Sequence, residues 1–250
     1  MFRPRPILLT AALVGAAAPL ALAQPPASCS ARSGPAITPV VELYTSEGCS
    51  SCPPADQWLS KLKADPSVVA LAFHVNYWDR LGWRDRFSTS AFTARQGEQQ
   101  AVNGARYNYT PQVVVQGRDQ RDWPGLRLPI AAAGKALVDV SLSGDGKSFS
   151  ATVQSRSGAP ARLAAYWAIT EDAHRSSVTA GENSGEKLAH DYVVRELQAV
   201  PAWTGASTTL QFSAAGAADA AHPRAVSLVI TDAATGKPVQ ALRLPCASAG

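Results

Sequence analysis

Apolar and polar positions divide the chain into two parts with different periodicities. Up to about residue 137, strand-like apolar runs alternate with segments of helical spacing. The apolar runs cover residues 39–45, 68–75 and 112–116, and the helical segments start at Pro53, at Ser88 (to residue 103) and at Leu126 (to residue 137). This alternation predicts βαβ units whose strands are buried on both faces.

From residue 138 onward, the chain consists of short alternating stretches separated by turn-rich segments. The stretches cover residues 138–142, 148–154, 163–170, 188–197, 208–212, 225–231 and 239–244. Stretches of this kind, without a convincing helix between them, predict an antiparallel β sandwich. We therefore expect an α/β domain over residues 37–137 and a β-rich domain over residues 138–246.

Residues 1–23 have the features of a secretory signal peptide. Arg3 and Arg5 precede an apolar run over residues 7–22, which ends in small residues. The alternative of a membrane anchor is disfavoured, because the run contains Gly and Pro and is short for a bilayer span. We expect cleavage before Gln24, a leader over residues 24–36, a periplasmic or secreted location, and no stable membrane insertion after cleavage.

Composition and charge exclude several classes of protein. A chain of 250 residues with 46% hydrophobic and 17% charged residues can bury sizeable cores. Its 18 Gly and 18 Pro follow no period, which excludes a collagen-like chain. Loss of Arg3 and Arg5 with the signal would leave 21 Lys and Arg against 19 Asp and Glu, a net charge of +2. No nucleic-acid partner is expected.

The four cysteines fall into two groups. Cys49 and Cys52 are three positions apart, whereas Cys29 and Cys246 lie near the two ends of the mature chain. An exported protein can keep disulfides, but four cysteines allow three pairings and the sequence alone does not choose among them. The natural division is a redox pair, Cys49–Cys52, and a structural disulfide, Cys29–Cys246. Free thiols at Cys29 and Cys246 are the alternative.

The Cys49–Cys52 segment lies between a predicted strand and a predicted helix. A helix N-terminus stabilises a thiolate, so we expect Cys49 to face solvent and attack, and Cys52 to resolve the mixed disulfide. An inert disulfide and a metal site are the alternatives. A four-thiolate zinc site would need a second cysteine pair of this kind, which the sequence lacks. A Cu(I) site would use both cysteines, with or without His74. Met1 is the only methionine, and it would be lost with the signal peptide, so thioether ligation is excluded. We expect no cofactor and no resident metal.

The order strand, Cys-x-x-Cys, helix, then Thr110 and Pro111 before a strand resembles the thioredoxin superfamily. More narrowly, VELYTSEGCSSCPPAD (residues 41–56), FHVNYWD (73–79) and YTPQ (109–112) resemble motifs of the bacterial secreted family known as domain of unknown function 1223. The resemblance covers about residues 37–245. It implies an α/β thioredoxin-like domain followed by a β-rich, sandwich-like domain, without a settled activity.

The resemblance also carries expectations for single residues. It implies that Pro111 follows a cis peptide bond beside the redox loop, and that the backbone of Thr110 pairs with extended substrate. The alternative is an ordinary trans proline at a strand start. Ser50 and Ser51 stand where thioredoxin has Gly-Pro, and no Trp precedes Cys49, so the chain departs from thioredoxin itself.

Further candidate residues lie around the predicted strands. Glu42 interrupts an apolar strand and is a possible proton relay, or an ordinary strand-end carboxylate. His74 is a satisfied core histidine, or a group with a metal or acid–base role. Tyr77 and Trp78 follow the carboxyl end of a strand, where they line a substrate crevice or cap the core.

These features favour an enzyme. We expect a thiol–disulfide oxidoreductase that acts on protein or small-molecule thiols, with Cys49, Cys52 and Pro111 as its catalytic residues. The alternatives are a Cu(I)-binding protein and a non-catalytic thioredoxin-like interaction module. The direction of the redox chemistry and the substrate depend on the relative stability of the two redox states, which the sequence does not give.

Overall fold

The structure is a computed structural model that describes residues 28–246. The strands are β1 (Cys29–Arg32), β2 (Val40–Thr45), β3 (Val69–His74), β4 (Gln112–Val115), β5 (Arg118–Asp119), β6 (Val138–Gly144), β7 (Ser148–Ser155), β8 (Arg162–Glu171), β9 (His174–Ser177), β10 (Lys187–His190), β11 (Val193–Thr204), β12 (Ser207–Ser213), β13 (Arg224–Asp232) and β14 (Pro238–Pro245). The α-helices are α1 (Pro53–Ser60) and α2 (Ser90–Asn103), and short 3-10 helices cover Lys61–Ala64, Asp79–Leu81 and Trp123–Gly125.

The predicted signal peptide over residues 1–23 lies outside the described residues, as does the first part of the predicted leader. Within the described part of the chain, no helix is long and apolar enough to cross a membrane.

The strands form three sheets. The largest has eight strands in the order β14-β13-β8-β11-β3-β2-β4-β5. β3 is parallel to both of its neighbours, β2 and β11, and the other pairings in this sheet are antiparallel. A second sheet has the order β1-β6-β7-β12, and β9 pairs with β10 in a hairpin. The four-stranded sheet packs against β8, β13 and β14 of the large sheet, as in a β sandwich.

The predicted fold class, an α/β thioredoxin-like domain followed by a β-rich domain, is wrong. Strands make up 44% of the described residues and helices 15%, in large mixed sheets with a sandwich-like arrangement. The physical reason is that β11 pairs with β3, so strands from beyond residue 137 extend the sheet that begins with β2 and β3. The division into two domains near residue 137 stays a prediction.

The segments that flank the cysteine pair follow their local sequence closely. β2 and β3 are entirely buried and pair in parallel from Val40 opposite Val69 to Thr45 opposite His74. α1 starts with two prolines, which suit the first turn of a helix because its N–H groups have no partner within the helix. α2 is capped by Thr89, whose hydroxyl accepts from the N–H of Phe92, and it stops at Gly104 with φ of 80°.

Two predicted elements differ from the structure. The helix expected over residues 126–137 is absent, and Pro129 lies inside that segment, where a helix would lose a hydrogen bond. The stretch 188–197 holds the end of β10 and the start of β11, with Tyr192 between them at a φ of 57°. A left-handed residue at this point breaks one apparent strand into two.

Three apolar clusters hold the sheets and helices together. Trp167, Phe149 and Phe212 stack between the two larger sheets. Tyr44 and Phe73, with Phe92 of α2, form the core on one face of the large sheet. On the opposite face, α1 packs on β2, β3 and β4. The residues of this third cluster are Val41, Leu43, Ala55, Trp58, Leu59, Leu62, Val68, Ala70, Ala72, Val113 and Tyr192.

The two ends of the described chain are joined. β1, inside the segment predicted as a leader, pairs with β6, and Cys29 is disulfide-bonded to Cys246 after β14, with a Cα–Cα distance of 5.7 Å. The structure therefore contains the terminal disulfide and not the free thiols.

We predict that replacing Cys29 and Cys246 together with serine lowers the free energy of unfolding by about 2–5 kcal/mol, because the crosslink restricts a very long loop in the unfolded chain. The sequence separation of the two cysteines is 217. Denaturant unfolding of the oxidised protein measures the loss. The matched control replaces Cys49 and Cys52, whose separation is 3. An equal loss in both double variants would contradict the loop-length argument.

Candidate active site

The Cys49–Cys52 pair lies at the carboxyl end of β2, immediately before α1. The two cysteines form a disulfide with a Cα–Cα distance of 5.4 Å. The turn is fixed by the N–H of Cys52, which donates to the carbonyl of Cys49 at 3.1 Å. The next segment of the site, around Tyr77 and Trp78, follows the carboxyl end of β3, and Thr110 immediately precedes Pro111 and β4. The sheet thus brings these sequence-predicted residues to one edge.

Both cysteines are 0% exposed, so the expectation that Cys49 faces solvent is wrong. The cause is the connection between β9 and β10, residues 178–186, which we call the covering loop. The amide of Asn183 in this loop donates to the carbonyl of Glu47 at 2.8 Å and to that of Cys49 at 3.0 Å. The carboxylate of Glu182 accepts from the N–H and the hydroxyl of Ser50 at 3.0 and 2.8 Å.

Two hydroxyl groups lie within hydrogen-bond distance of the Cys49 sulfur. The Thr110 hydroxyl donates to Sγ of Cys49 at 3.3 Å, and the Ser51 hydroxyl is 3.4 Å from the same sulfur. The indole N–H of Trp78 donates to the Thr110 oxygen at 2.8 Å, which directs the Thr110 proton toward the sulfur. Prolines occupy the first two positions of α1. Two backbone donors of its first turn are therefore missing. A thiolate at Cys49 would depend more on the two hydroxyls for hydrogen bonds.

The aromatic residues after β3 pack against the cysteine loop. A Cβ on Gly48 would lie 3.0 Å from Cβ of Trp78, so glycine permits this close approach. The Tyr77 hydroxyl donates to Gln96 of α2 at 3.3 Å, and burial raises the pKa of Tyr77. The peptide bond between Thr110 and Pro111 is cis, the isomer that the resemblance implies.

Glu42 lies away from the cysteine pair. Alternation along β2 directs Val41 and Leu43 to the face that carries α1, and Glu42 to the other face. There its carboxylate accepts from Arg95 and Tyr166, each at 2.6 Å, and from Tyr44 at 3.2 Å. Burial and the Glu42 charge raise the pKa of both tyrosines. The described contacts give Glu42 no link to either sulfur, so the proton-relay role has no contact to support it.

Beneath the cysteine pair lies a buried cluster of acids and histidines that the sequence did not bring together. It consists of Glu47, Asp56, His74, Asp85 and His190, which we call the acid–histidine cluster. Asp56 follows Cys52 by one helical turn, so the spacing in the sequence could have predicted that the two residues lie close together. His190 and Asn183 are more than 130 positions from Cys49, and no local pattern indicates their place.

The acids and histidines of this cluster shift one another's pKa. Burial lowers the pKa of His190, but Asp56 and Glu47 outweigh it and raise the value to about 10. Burial raises the pKa of Glu47, and the facing His190 and a hydrogen bond from the Trp83 indole reverse the effect and lower it. Burial likewise opposes ionisation of Asp85, yet His74 holds its pKa down at about 2. Glu47 and Asp85 therefore stay ionised because a cation or donor faces each of them.

A family model described as "Protein of unknown function (DUF1223)" matches residues 40–230, a range that includes the cysteine pair, Thr110 and the covering loop. No curated protein matches the chain significantly.

Two solved structures are similar to this chain. The first is the crystal structure of protein AGR_C_4864 from Agrobacterium tumefaciens, with 26% identity and a TM-score of 0.63, covering 87% of this chain and 98% of that one. The second is HBP35 of Porphyromonas gingivalis, with 15% identity and a TM-score of 0.56, covering 84% of this chain and 76% of that one. The second likeness shows the fold alone.

We predict that Asn183→Ala speeds reduction of the Cys49–Cys52 disulfide by dithiothreitol. Loss of two hydrogen bonds would favour the open loop by about 1–2 kcal/mol, or about 5- to 30-fold in the reduction rate. Ser184→Ala is the control, since Ser184 is exposed in the same loop and its side chain makes no hydrogen bond within residues 28–246. Equal rates in both variants would show that the loop does not limit access.

Proposed function

This chain belongs to the DUF1223 family, and we propose that it is a thiol–disulfide oxidoreductase whose redox centre is the Cys49–Cys52 pair. The observation that carries the proposal is the disulfide at the start of α1, with the Thr110 hydroxyl 3.3 Å from the Cys49 sulfur. A structural crosslink has no need of a donor aimed at one sulfur. A thiolate formed on reduction is stabilised by such a donor.

The exchange reaction uses the pair as a two-electron couple. In the reducing direction, the Cys49 thiolate attacks one sulfur of a substrate disulfide, and the other substrate sulfur leaves as a thiolate. The Cys52 thiolate then attacks Cys49 in the mixed disulfide and releases the second substrate thiol. The protein dithiol is oxidised to the disulfide, and the substrate disulfide is reduced to two thiols. The oxidising direction reverses these steps.

The surroundings of the sulfur favour redox exchange over storage of a soft metal ion. A Cu(I) site would be built on both cysteines. Within residues 28–246, however, the hydrogen-bond partners of the Cys49 sulfur are hydroxyls. Hydroxyl oxygens are poor ligands for a soft ion.

The proposal requires the covering loop to move, because substrate cannot reach a fully buried sulfur. Exposed Ser50 and Ser51 lie between the cysteines, and the Glu182 carboxylate binds Ser50 from the surface. Loss of that contact, together with loss of the hydrogen bonds from Asn183, would expose the side of Cys49 beside Thr110. A thiol or disulfide substrate, either a small molecule or an extended protein segment, would enter there.

We also propose that the protein works in the periplasm or outside the cell. The signal-like segment over residues 1–23 would direct export. The Cys29–Cys246 disulfide is compatible with an oxidising compartment.

We predict different outcomes for serine at the two redox positions. Cys49→Ser abolishes exchange, because the nucleophile beside Thr110 is lost. Cys52→Ser leaves the nucleophile but no resolving thiol, so a mixed disulfide with substrate accumulates. Non-reducing gels and mass spectrometry after reaction with a peptide disulfide measure both outcomes. Trapping by both variants to the same extent would remove the assigned roles, and no exchange by the unmodified protein would remove the proposed function.

We predict that Thr110→Val slows the reaction of the reduced protein with a small alkylating reagent at pH 7 by about 10-fold. A hydrogen bond to a charged acceptor contributes about 1.5–3 kcal/mol, and valine keeps the shape of threonine without the donor. The rate-against-pH profile should move to higher pH. Thr209→Val, on the exposed face of β12, is the control. An unchanged rate in Thr110→Val would mean that the hydroxyl does not stabilise the thiolate.

A further inference from the structure

The acid–histidine cluster holds more ligand atoms than the redox chemistry uses. One ligand atom each from Asp56, His74 and His190 lies within 4.8 Å of the others, and all three residues are buried. Nδ1 of His190 is 3.5 Å from Oδ1 of Asp56. Two ligands at bond lengths of about 2.0–2.1 Å from a tetrahedral Zn²⁺ lie about 3.3 Å apart, so this pair needs little movement to share an ion.

His74 has a nitrogen available for such an ion. Its side chain is fully buried, and Nε2 has no hydrogen-bond partner within residues 28–246. A buried polar atom without a partner costs free energy, so its retention calls for an explanation. A ligand bond from Nε2 supplies one.

The second nitrogen of each histidine faces a carboxylate. Nδ1 of His74 lies 2.6 Å from Asp85, and Nε2 of His190 lies 3.4 Å from Glu47. Carboxylates in this position orient a metal-binding imidazole and fix which nitrogen is free for the metal.

Other contacts hold the carboxylates themselves. Asp85 accepts from the N–H groups of Glu47 and Phe87, each at 2.9 Å, and Glu47 accepts from the Trp83 indole at 2.8 Å. Asp56 accepts from the Thr45 hydroxyl at 2.9 Å. The arrangement is therefore fixed before any ion binds.

The charge of the cluster points to a cation. Three carboxylates, those of Glu47, Asp56 and Asp85, are buried together. In the described part of the chain, their ion-pair partners are His74 and His190, and no lysine or arginine pairs with them. A divalent ion that replaces the proton on His190 would bring two positive charges to face these carboxylates.

We propose that Asp56, His74 and His190 form a binding site for a divalent transition-metal ion, and that Zn²⁺ suits its donors. Two imidazole nitrogens and one carboxylate oxygen are donors that Zn²⁺ takes, and they leave its fourth position open. The thiols are not ligands, so the site is distinct from the redox pair. Since Asp56 lies one turn after Cys52 in α1, the ion would anchor the helix that carries the redox centre.

The test titrates Zn²⁺ into the chelator-treated protein with both disulfides closed, so it does not depend on the proposed redox function. Equilibrium dialysis with elemental analysis should give one ion per chain. His74→Asn removes Nε2 but keeps a donor toward Asp85, and His190→Gln removes Nδ1 but keeps a donor toward Glu47; each should weaken binding at least 100-fold. His222→Asn, a histidine outside the cluster, should bind like the unmodified chain. Glu47→Gln should weaken binding by about 10- to 100-fold while leaving the ligands in place.

Co²⁺ provides a readout that does not depend on the variants folding. The unmodified protein should show visible ligand-field bands of a tetrahedral ion, without a thiolate-to-cobalt charge-transfer band. Weak bands of an octahedral, water-ligated ion would overturn the proposal. So would the absence of saturable 1:1 binding, both in the native protein and in protein refolded with Zn²⁺, or binding unchanged in folded His74→Asn and His190→Gln.

Discussion

The short parallel contact between β3 and β11 is the constraint on which the site depends. Val193 pairs with Ala72, and the N–H of Ala72 donates to the carbonyl of Tyr192 at 2.8 Å. Because β9 and β10 immediately precede β11, this pairing fixes where their hairpin lies. The left-handed Tyr192 turns the chain between β10 and β11, and its N–H is held by Asp172 at 2.8 Å. The hairpin thereby reaches over the cysteine loop and brings His190 under α1.

The same contact explains why the Cys49–Cys52 pair is buried. β9 and β10 form a two-stranded sheet of their own, and a lone hairpin is only marginally stable. Its covering loop adds the Asn183 and Glu182 hydrogen bonds to the cysteine segment. A cover held by a few hydrogen bonds opens at much lower free energy than the sandwich core unfolds. The architecture therefore buries the Cys49–Cys52 disulfide under a loop that can open without unfolding of the core.

The buried charges beneath α1 impose a further requirement on the fold. A buried carboxylate left without a partner would cost several kcal/mol, so Glu47, Asp56 and Asp85 can be buried only if His74 and His190 arrive together with them. His74 comes from the end of β3 and His190 from the end of β10. The cluster thus ties the β2–α1 segment electrostatically to the hairpin, as the β3–β11 pairing ties it through the backbone.

The sequence by itself determined the local elements around the cysteine pair. The apolar runs of β2 and β3, the two prolines that start α1, and Gly104 that ends α2 act through backbone preferences and periodicity over a few residues, and the structure follows them. The strand character of the second half was likewise visible, because alternation reports which side of a strand is buried. The resemblance to the DUF1223 family was also carried by short motifs, and the family match bears that resemblance out.

Only the tertiary structure decided which strands share a sheet and what covers the cysteines. Alternation does not encode a strand's partner, so the pairing of β11 with β3 was not predictable and the α/β fold class was wrong. Asn183 and His190 are too far along the chain for any local pattern to place them. The exposure of Cys49 and the partners of Glu42 depend on contacts across 134 and 124 positions, respectively, and such contacts exist only after the sheets assemble.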